Sequence, residues 1–482
     1  MLRAFIRDGA IYAIPSIVSR GLAVILIPLY TRVLTPADYG SFDLLSAFAV
    51  LVNLTVALEV SQGVARFYSS EEDIERRVTY ASSAFWFTIF CYVVFLSTAL
   101  FFNKELSLLV MGRGGMETSF QVGVLYIFIN GVFYLIQNQF RWELNSVHYA
   151  IVSLIVTVVT AVLAVILTYV VAWGLVGLLL GMAGGAMAGC LYGLRYLRHS
   201  FRFQFQWVRL KEMLAFSAPL VPSGIAVFVG QYIDRIMINQ YLSLDDVGLY
   251  GIGFRVASIV GIVIVGFQGA LTPLIYAHYR DPATPQHLAR IFRTFVSFAL
   301  LMFLVVSLFA KEILTVLTAP AYYDAASLVV FLVPAILLSN MYIFAPGTAI
   351  EKKTHLILWI NVAGAVLNVL LNTLLIPSFG IQGAAVAKLV SYGLVFGAYM
   401  WFSQKLYHVP HNWRSLANAT LLVGVIAYWL PQIELSFEIM LVLKLAGLAA
   451  GVLVILIIGL VRLSELQRLK EIVWKRLSTG RE

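Results

Sequence analysis

Cysteine and charge are what this chain has least of. Two cysteines occur in 482 residues, Cys91 and Cys190, each inside an apolar run. They form no spaced thiol set that would hold zinc or staple a small secreted fold. Charged residues make up 12% of the sequence against 61% hydrophobic, and the mean hydropathy is +0.90. A soluble domain carries about twice that share of charge. Long polar stretches are missing too, which leaves no room for a soluble catalytic domain between the apolar runs. There is no nucleophile beside a base, no metal-ligand cluster and no glycine-rich phosphate loop, which argues against a membrane polymerase or transferase. Nothing in the sequence asks for a cofactor or a metal.

What remains is a succession of apolar segments, and their lengths fit a hydrocarbon core that needs about 20 residues per helix. They fall at 10–32, 39–63, 78–102, 119–140, 150–171, 174–194, 214–241, 247–273, 292–317, 327–349, 356–377, 381–402, 416–431 and 439–461. The expected fold is therefore an all-α integral membrane protein of about fourteen transmembrane helices. The start, Met1 to Asp8, is basic, but the apolar run after it is too long for a signal-peptide core, so it is expected to be an uncleaved first span.

The net charge of +9 is spread over short loops rather than gathered in a patch, so nucleic acid is not an expected partner. With the N-terminus cytoplasmic, 24 of the 33 Lys and Arg fall in cytoplasmic segments and four outside. That asymmetry places both termini in the cytoplasm. The longest cytoplasmic connection, Arg195 to Lys211, mixes five basic residues with Phe201, Phe203, Phe205 and Trp207. Such a mixture suits a segment lying on an anionic leaflet, and so does the basic tail 462–482.

The chain also repeats itself faintly. Ile14-Pro15-Ser16 matches Val221-Pro222-Ser223, Asp38-Tyr39-Gly40 matches Asp246-Val247-Gly248, Gln62-Gly63 matches Gln268-Gly269, and Gly174 to Gly177 matches Gly380 to Gly383. The offsets run from 206 to 208 residues. An even number of spans separates the matches, so the two halves share one orientation. The expected division is a six-helix lobe over 1–194, a linker over 195–213, a second six-helix lobe over 214–402, two further helices over 403–461 and the tail.

Charges inside the spans are the candidates for function, since each costs roughly 3 kcal/mol to insert and usually faces a bundle interior or cavity. Gln231, Asp234, Arg235 and Asn239 share one face of span seven; Arg255 and Ser258 lie on span eight; Lys388 and Tyr392 lie on span twelve. Three cations against one carboxylate suit an anionic ligand such as a phosphate, which Arg grips through two parallel hydrogen bonds. The alternative is an ion network that only locks helices together, with Asp234 neutralising Arg255. Arg20, near the middle of span one between Pro15 and Pro28, is a further cavity candidate; the alternative is a bond to carbonyls freed by those prolines. Glu59 is a candidate for proton or sodium coupling or, equally, a surface partner of Arg66. Asp43 reads as an interfacial residue or cap, and Lys444 as a residue that snorkels from the outer end of the last span. Gly181, Gly185 and Gly189 form a small-residue ridge expected to pack closely on another helix.

Leu34-Thr35-Pro36-Ala37-Asp38-Tyr39-Gly40 after Pro28-Leu29-Tyr30-Thr31-Arg32 resembles a signature of Wzx-type polysaccharide flippases. So does Leu367-Asn368 to Ile376-Pro377 followed by Gly380-Ile381-Gln382-Gly383-Ala384-Ala385. These flippases belong to the MOP superfamily, which includes the multidrug (MATE) exporters. The resemblance implies two parallel six-helix lobes in a V shape plus two C-terminal helices, with a cationic cavity lined by helices one, two, seven and eight. It also implies a bacterial inner-membrane transporter, not an enzyme, that moves an undecaprenyl-pyrophosphate-linked oligosaccharide by alternating access. Membrane lipids and a polysaccharide polymerase are the expected partners, and the driving ion, proton or sodium, is left open. Arg20, Arg235 and Arg255 fit that cavity; Lys388 lies off the four lining helices. A cation-coupled drug exporter of the same fold and a peptidoglycan-precursor flippase are the competing expectations.

Overall fold

The computed structural model describes residues 18–460 apart from 20, 23, 262, 263, 265, 266, 268–270, 272–274, 276, 277 and 434. Arg20, the match at Gln268-Gly269 and the basic tail lie outside the described residues. The described residues are helical, without a strand. In chain order the helices are α1 (Pro36–Thr55), α2 (Val60–Ser70), α3 (Ile74–Phe101), α4 (Asn103–Met111), α5 (Glu117–Trp142), α6 (Ser146–Val165), α7 (Gly174–Tyr196) and α8 (Trp207–Ser217). There follow α9 (Val221–Tyr241), α10 (Leu244–Ala257), α11 (Thr284–Leu308), α12 (Ala310–Leu317), α13 (Ala326–Asn340), α14 (Thr354–Leu406), α15 (Trp413–Trp429) and α16 (Phe437–Ile457).

Among the described residues nine helical stretches are long and apolar enough to cross a membrane, and ten if α1 and α2, bent by 46°, count as one. One of these stretches, His355–Leu406, spans two of the expected segments and is broken at Gly380. Three expected segments, 10–32, 247–273 and 439–461, include residues outside the described set. The chain is an integral membrane protein.

By its contacts the chain divides into two compact units, to which the described residues are assigned by the ranges that follow. One comprises Met1–Ile252, Val316–Asp324 and Ala365–Ala384; the other comprises Gly253–Thr315, Ala325–Gly364 and Ala385–Glu482.

In the first unit the small-residue ridge of α7 does what its spacing suggests. A Cβ added at Gly181 would run into the backbone of Ala164, one at Gly185 into Thr160, and one at Gly189 into Val156 and Phe133. Contact that close lets α7 lie along α6 with dispersion along the whole seam. Phe85, Ile129, Phe133, Ile136, Phe140, Ala186 and Cys190 fill the space beside it.

Two of the repeated signatures have one structural meaning in both halves. Gly174 (φ 53°) and Gly380 (φ 60°) both adopt the left-handed backbone that a side chain resists. Three residues on, a Cβ at Gly177 would meet the carbonyl of Leu167, and one at Gly383 the carbonyl of Leu375. Each signature is thus a tight turn followed by a helix pressed against the preceding one.

Asp38 and Asp246 form the second such pair. Thr35 caps α1 by accepting from Asp38 N at 3.2 Å, while the Asp38 carboxylate accepts from Thr35 N at 3.0 Å. Ser243 and Asp246 repeat the arrangement at the start of α10, with both bonds at 3.2 Å. Two donors that a helix start would otherwise leave unsatisfied are met each time.

The basic and aromatic connection after α7 is knitted to α3 and α5 rather than only laid on a leaflet. Phe201 stacks on Phe85 with ring centroids 4.6 Å apart, and Trp86 Nε1 donates to Arg202 O at 3.0 Å. Glu143 at the end of α5 accepts from the Ser200 hydroxyl, from Tyr68 at 3.3 Å and from Gln139 at 3.0 Å. Phe203, Phe205 and Trp207 remain exposed and free to meet lipid.

Lys444 departs from expectation. It is buried in the second unit, where it pairs with Glu312 of α12 and lies over the ring of Phe309. A short carboxylate on a neighbouring helix is a nearer partner than the membrane surface, so snorkelling is unnecessary.

Candidate functional site: a buried ion network on α1, α9 and α10

The network begins with three glycines. Gly40 of α1 packs so closely on α10 that an added Cβ would run into the carbonyl oxygen of Leu244. Gly248 of α10 does the same to the carbonyl of Pro36. The two contacts are reciprocal: Pro36 and Leu244 stand 208 residues apart, as do Gly40 and Gly248. Gly251, one turn along α10, leaves the space in which the carboxylate of Asp43 sits.

Asp43 reaches across to α9, where its Oδ2 accepts from Arg235 Nε at 3.0 Å. The same guanidinium donates through Nη1 to Asp234 Oδ1 at 3.3 Å and to Gln231 O at 3.2 Å. The Tyr250 hydroxyl donates to Asp234 Oδ2. Arg235 also lies near the rings of Tyr232 and Tyr250, at 5.3 and 5.5 Å from their centroids. Asp43, Asp234, Arg235 and Tyr250 are 6, 0, 5 and 0% exposed, so solvent screens none of these interactions.

Charge and position together define what the network can do. Arg235 contacts two carboxylates, so in this arrangement it is held by protein acids. Asp43, expected at an interface or as a cap, is instead buried because α10 presents a glycine where a side chain would exclude it. The network joins a helix of the first repeat to two helices of the second. Around it, Ser41 Oγ donates to Met111 O at 2.9 Å, Arg113 pairs with Asp38, and the Tyr322 hydroxyl donates to Leu34 O at 2.8 Å. These contacts tie the end of α4, the segment after it and the segment before α13 to the N-terminal end of α1.

Arg255 and Lys388 belong to the second unit. There Lys388, 1% exposed, lies over the rings of Phe254 and Tyr392 at 5.2 and 5.9 Å. Arg255 is half-buried, and its carbonyl accepts from Ser258 Oγ at 2.7 Å. Glu59 occupies the bend between α1 and α2, where both Leu58 and Glu59 have positive φ. Among the described residues no group of His, Cys, Asp and Glu is placed to hold a metal ion. Asp43 and Tyr250 are the residues that reading the sequence missed. The signal for Asp43 was present, since the position 208 residues later is a glycine.

A family model described as MatE matches residues 219–374. Among solved structures, a lipid II flippase MurJ in an inward closed conformation superposes with a TM-score of 0.71 at 13% identity, over 91% of this chain and 97% of that one. An inward-facing multidrug resistance MATE family transporter of the MOP superfamily gives 0.66 at 15% identity, over 80% and 94%. The fold is thus that of the MOP superfamily. A curated relative, the probable low-salt glycan biosynthesis flippase Agl15 of Haloferax volcanii, is 23% identical over 190 residues, a match that covers 38% of this chain and only 40% of that protein. The model described as polysaccharide biosynthesis protein matches residues 5–277, more than half of the sequence, and the chain therefore belongs to that family.

Proposed function

We propose that the protein is a flippase that carries an undecaprenyl-pyrophosphate-linked oligosaccharide from the cytoplasmic to the outer leaflet of a bacterial inner membrane by alternating access. The observation that carries this reading is the buried Asp43–Arg235–Asp234–Tyr250 network, set against the glycine contact of α1 with α10. It is a lock between helices of two repeats, lying in an apolar chain that lacks a catalytic constellation. The Lys and Arg bias assigns the N-terminal ends of α1 and α10 to the outer face. On that topology the lock closes the outer side while the inner side loads.

Opening requires Arg235 to leave its carboxylates. Protonation of Asp43 or Asp234 would weaken the hold, which is a route to proton coupling; Glu59, at the bend of α1 and α2, is the second coupling candidate. The released guanidinium would then join Arg20 and Arg255 in a cationic cavity suited to a pyrophosphate, with Lys388 as a further candidate. The two six-helix lobes, 1–194 and 214–402, would rock about this cavity. Membrane lipids and a polymerase that consumes the flipped saccharide complete the partners in this reading. The glycan-flippase description of Agl15 agrees with it.

The deciding experiment is deletion of the gene followed by analysis of lipid-linked saccharides in each leaflet. Accumulation of one such lipid on the cytoplasmic side, relieved by the wild type and not by Arg235→Ala, is the expected result. Increased drug sensitivity without any accumulated lipid would defeat the flippase reading in favour of a drug exporter. Accumulated lipid II would identify a peptidoglycan precursor as the substrate.

A further inference from the structure

In the second unit three chain segments line a cavity of about 220 Å³. The first turns of α11 contribute Gln286, Ala289, Arg290 and Arg293; the connection from α14 to α15 contributes Pro410, His411 and Asn412; Leu416 and Leu460 complete the wall. The lining contains two guanidiniums and no carboxylate. Arg290 and Arg293 are three residues apart, hence on one face of α11. The cavity also adjoins the N-terminal turns of α11 and α15, where helix dipoles favour an anion.

The connection is built to hold its shape. Asn412 caps α15 by accepting from Ser415 N at 3.3 Å, Val409 N donates to Gln404 Oε1 at 3.0 Å, and the Tyr407 hydroxyl donates to Tyr279 O at 3.1 Å. His411 is wedged edge-on between Phe292 and Trp413, with centroids 4.6 and 5.0 Å away. Both of its ring nitrogens are buried and lack a hydrogen-bond partner among the described residues. Burial, with a smaller contribution from the nearby His408, pushes its pKa down to about 4, so near neutral pH the ring offers one N–H donor and one acceptor. A buried polar group left unsatisfied costs about 1–3 kcal/mol, a cost the packed connection carries at His411.

The Lys and Arg bias assigns this end of α11, α14, α15 and α16 to the cytoplasmic surface, at headgroup level. The volume is below the roughly 300–1,000 Å³ of sites for drug-sized ligands, and half of the lining is apolar. We propose that this cavity is a phosphate-headgroup site for an anionic phospholipid of the cytoplasmic leaflet, with Arg290 and Arg293 at the phosphate and the His411 ring and the apolar wall beside its glycerol. It does not depend on the transported substrate.

The test uses the full chain in phosphatidylcholine nanodiscs. Adding phosphatidylglycerol should raise the thermal midpoint of the wild type by several degrees, because a ligand that binds only the folded state stabilises it. Arg290→Gln combined with Arg293→Gln should abolish the rise, and native mass spectrometry should show retained phosphatidylglycerol on the wild type and less on His411→Ala. Equal rises in wild type and the double variant, or no rise in either, would overturn the proposal. So would an equal arginine-dependent rise with inorganic phosphate alone, which would make the ligand a soluble anion.

Discussion

Arg235 is the residue on which most of the buried charge turns. Removing it would take away the guanidinium that Asp43 and Asp234 share, and breaking a buried ion pair from one side typically costs about 3–5 kcal/mol. Arg235→Ala is therefore expected to lower the unfolding midpoint in detergent sharply. The double variant Arg235→Ala with Asp43→Ala should recover part of that loss, and the coupling energy of the cycle measures the pair itself. Strictly additive losses would show that Asp43 and Arg235 do not interact. The sequence made Arg235 and Asp234 visible, because charges in an apolar run at helical spacing stand out. It could not name Asp43 as their partner, since the two sides of that bond are 192 residues apart. Periodicity tells which face of a helix a residue occupies and says nothing of what that face meets. Lys444 was misread for the same reason, its carboxylate lying 132 residues away.

At the scale of the element, glycine placement decides how close helices come. The ridge on α7 was readable because its three glycines repeat every four residues. The contact of α1 with α10 was half readable: the repeated Asp-x-Gly signature was in view, but not that its two copies touch. A Gly248→Ala substitution would press a methyl group into the Pro36 carbonyl, which cannot yield without moving α1. Overpacking of this kind costs about 1–3 kcal/mol and favours any state in which the two helices part. In a chain freed of Cys91 and Cys190, a reporter made by Ser41→Cys, at a position that is fully buried here, should react with a membrane-impermeant maleimide faster when Gly248→Ala is present. Unchanged reactivity would mean that this contact does not govern access.

For the whole molecule, the composition alone established a helical membrane protein, and the Lys and Arg asymmetry supplied an orientation that labelling can check. Cysteines at Arg113 and Asp245 should react with the same reagent from outside intact cells, whereas one at Lys353 should react only after permeabilisation; the reverse pattern would invert the topology. The reciprocal glycine contact has a consequence for how such a molecule could arise. Pro36 against Gly248 and Gly40 against Leu244 are one contact seen twice, the arrangement that an isologous interface between two identical chains produces. A forerunner made of two copies of a single half could have used that contact unchanged. It could not have used Asp43, because the matching position is Gly251: aspartate in both copies would leave no space for either carboxylate, and glycine in both would leave Arg235 without this partner. The buried lock therefore required the two halves to have diverged at this position.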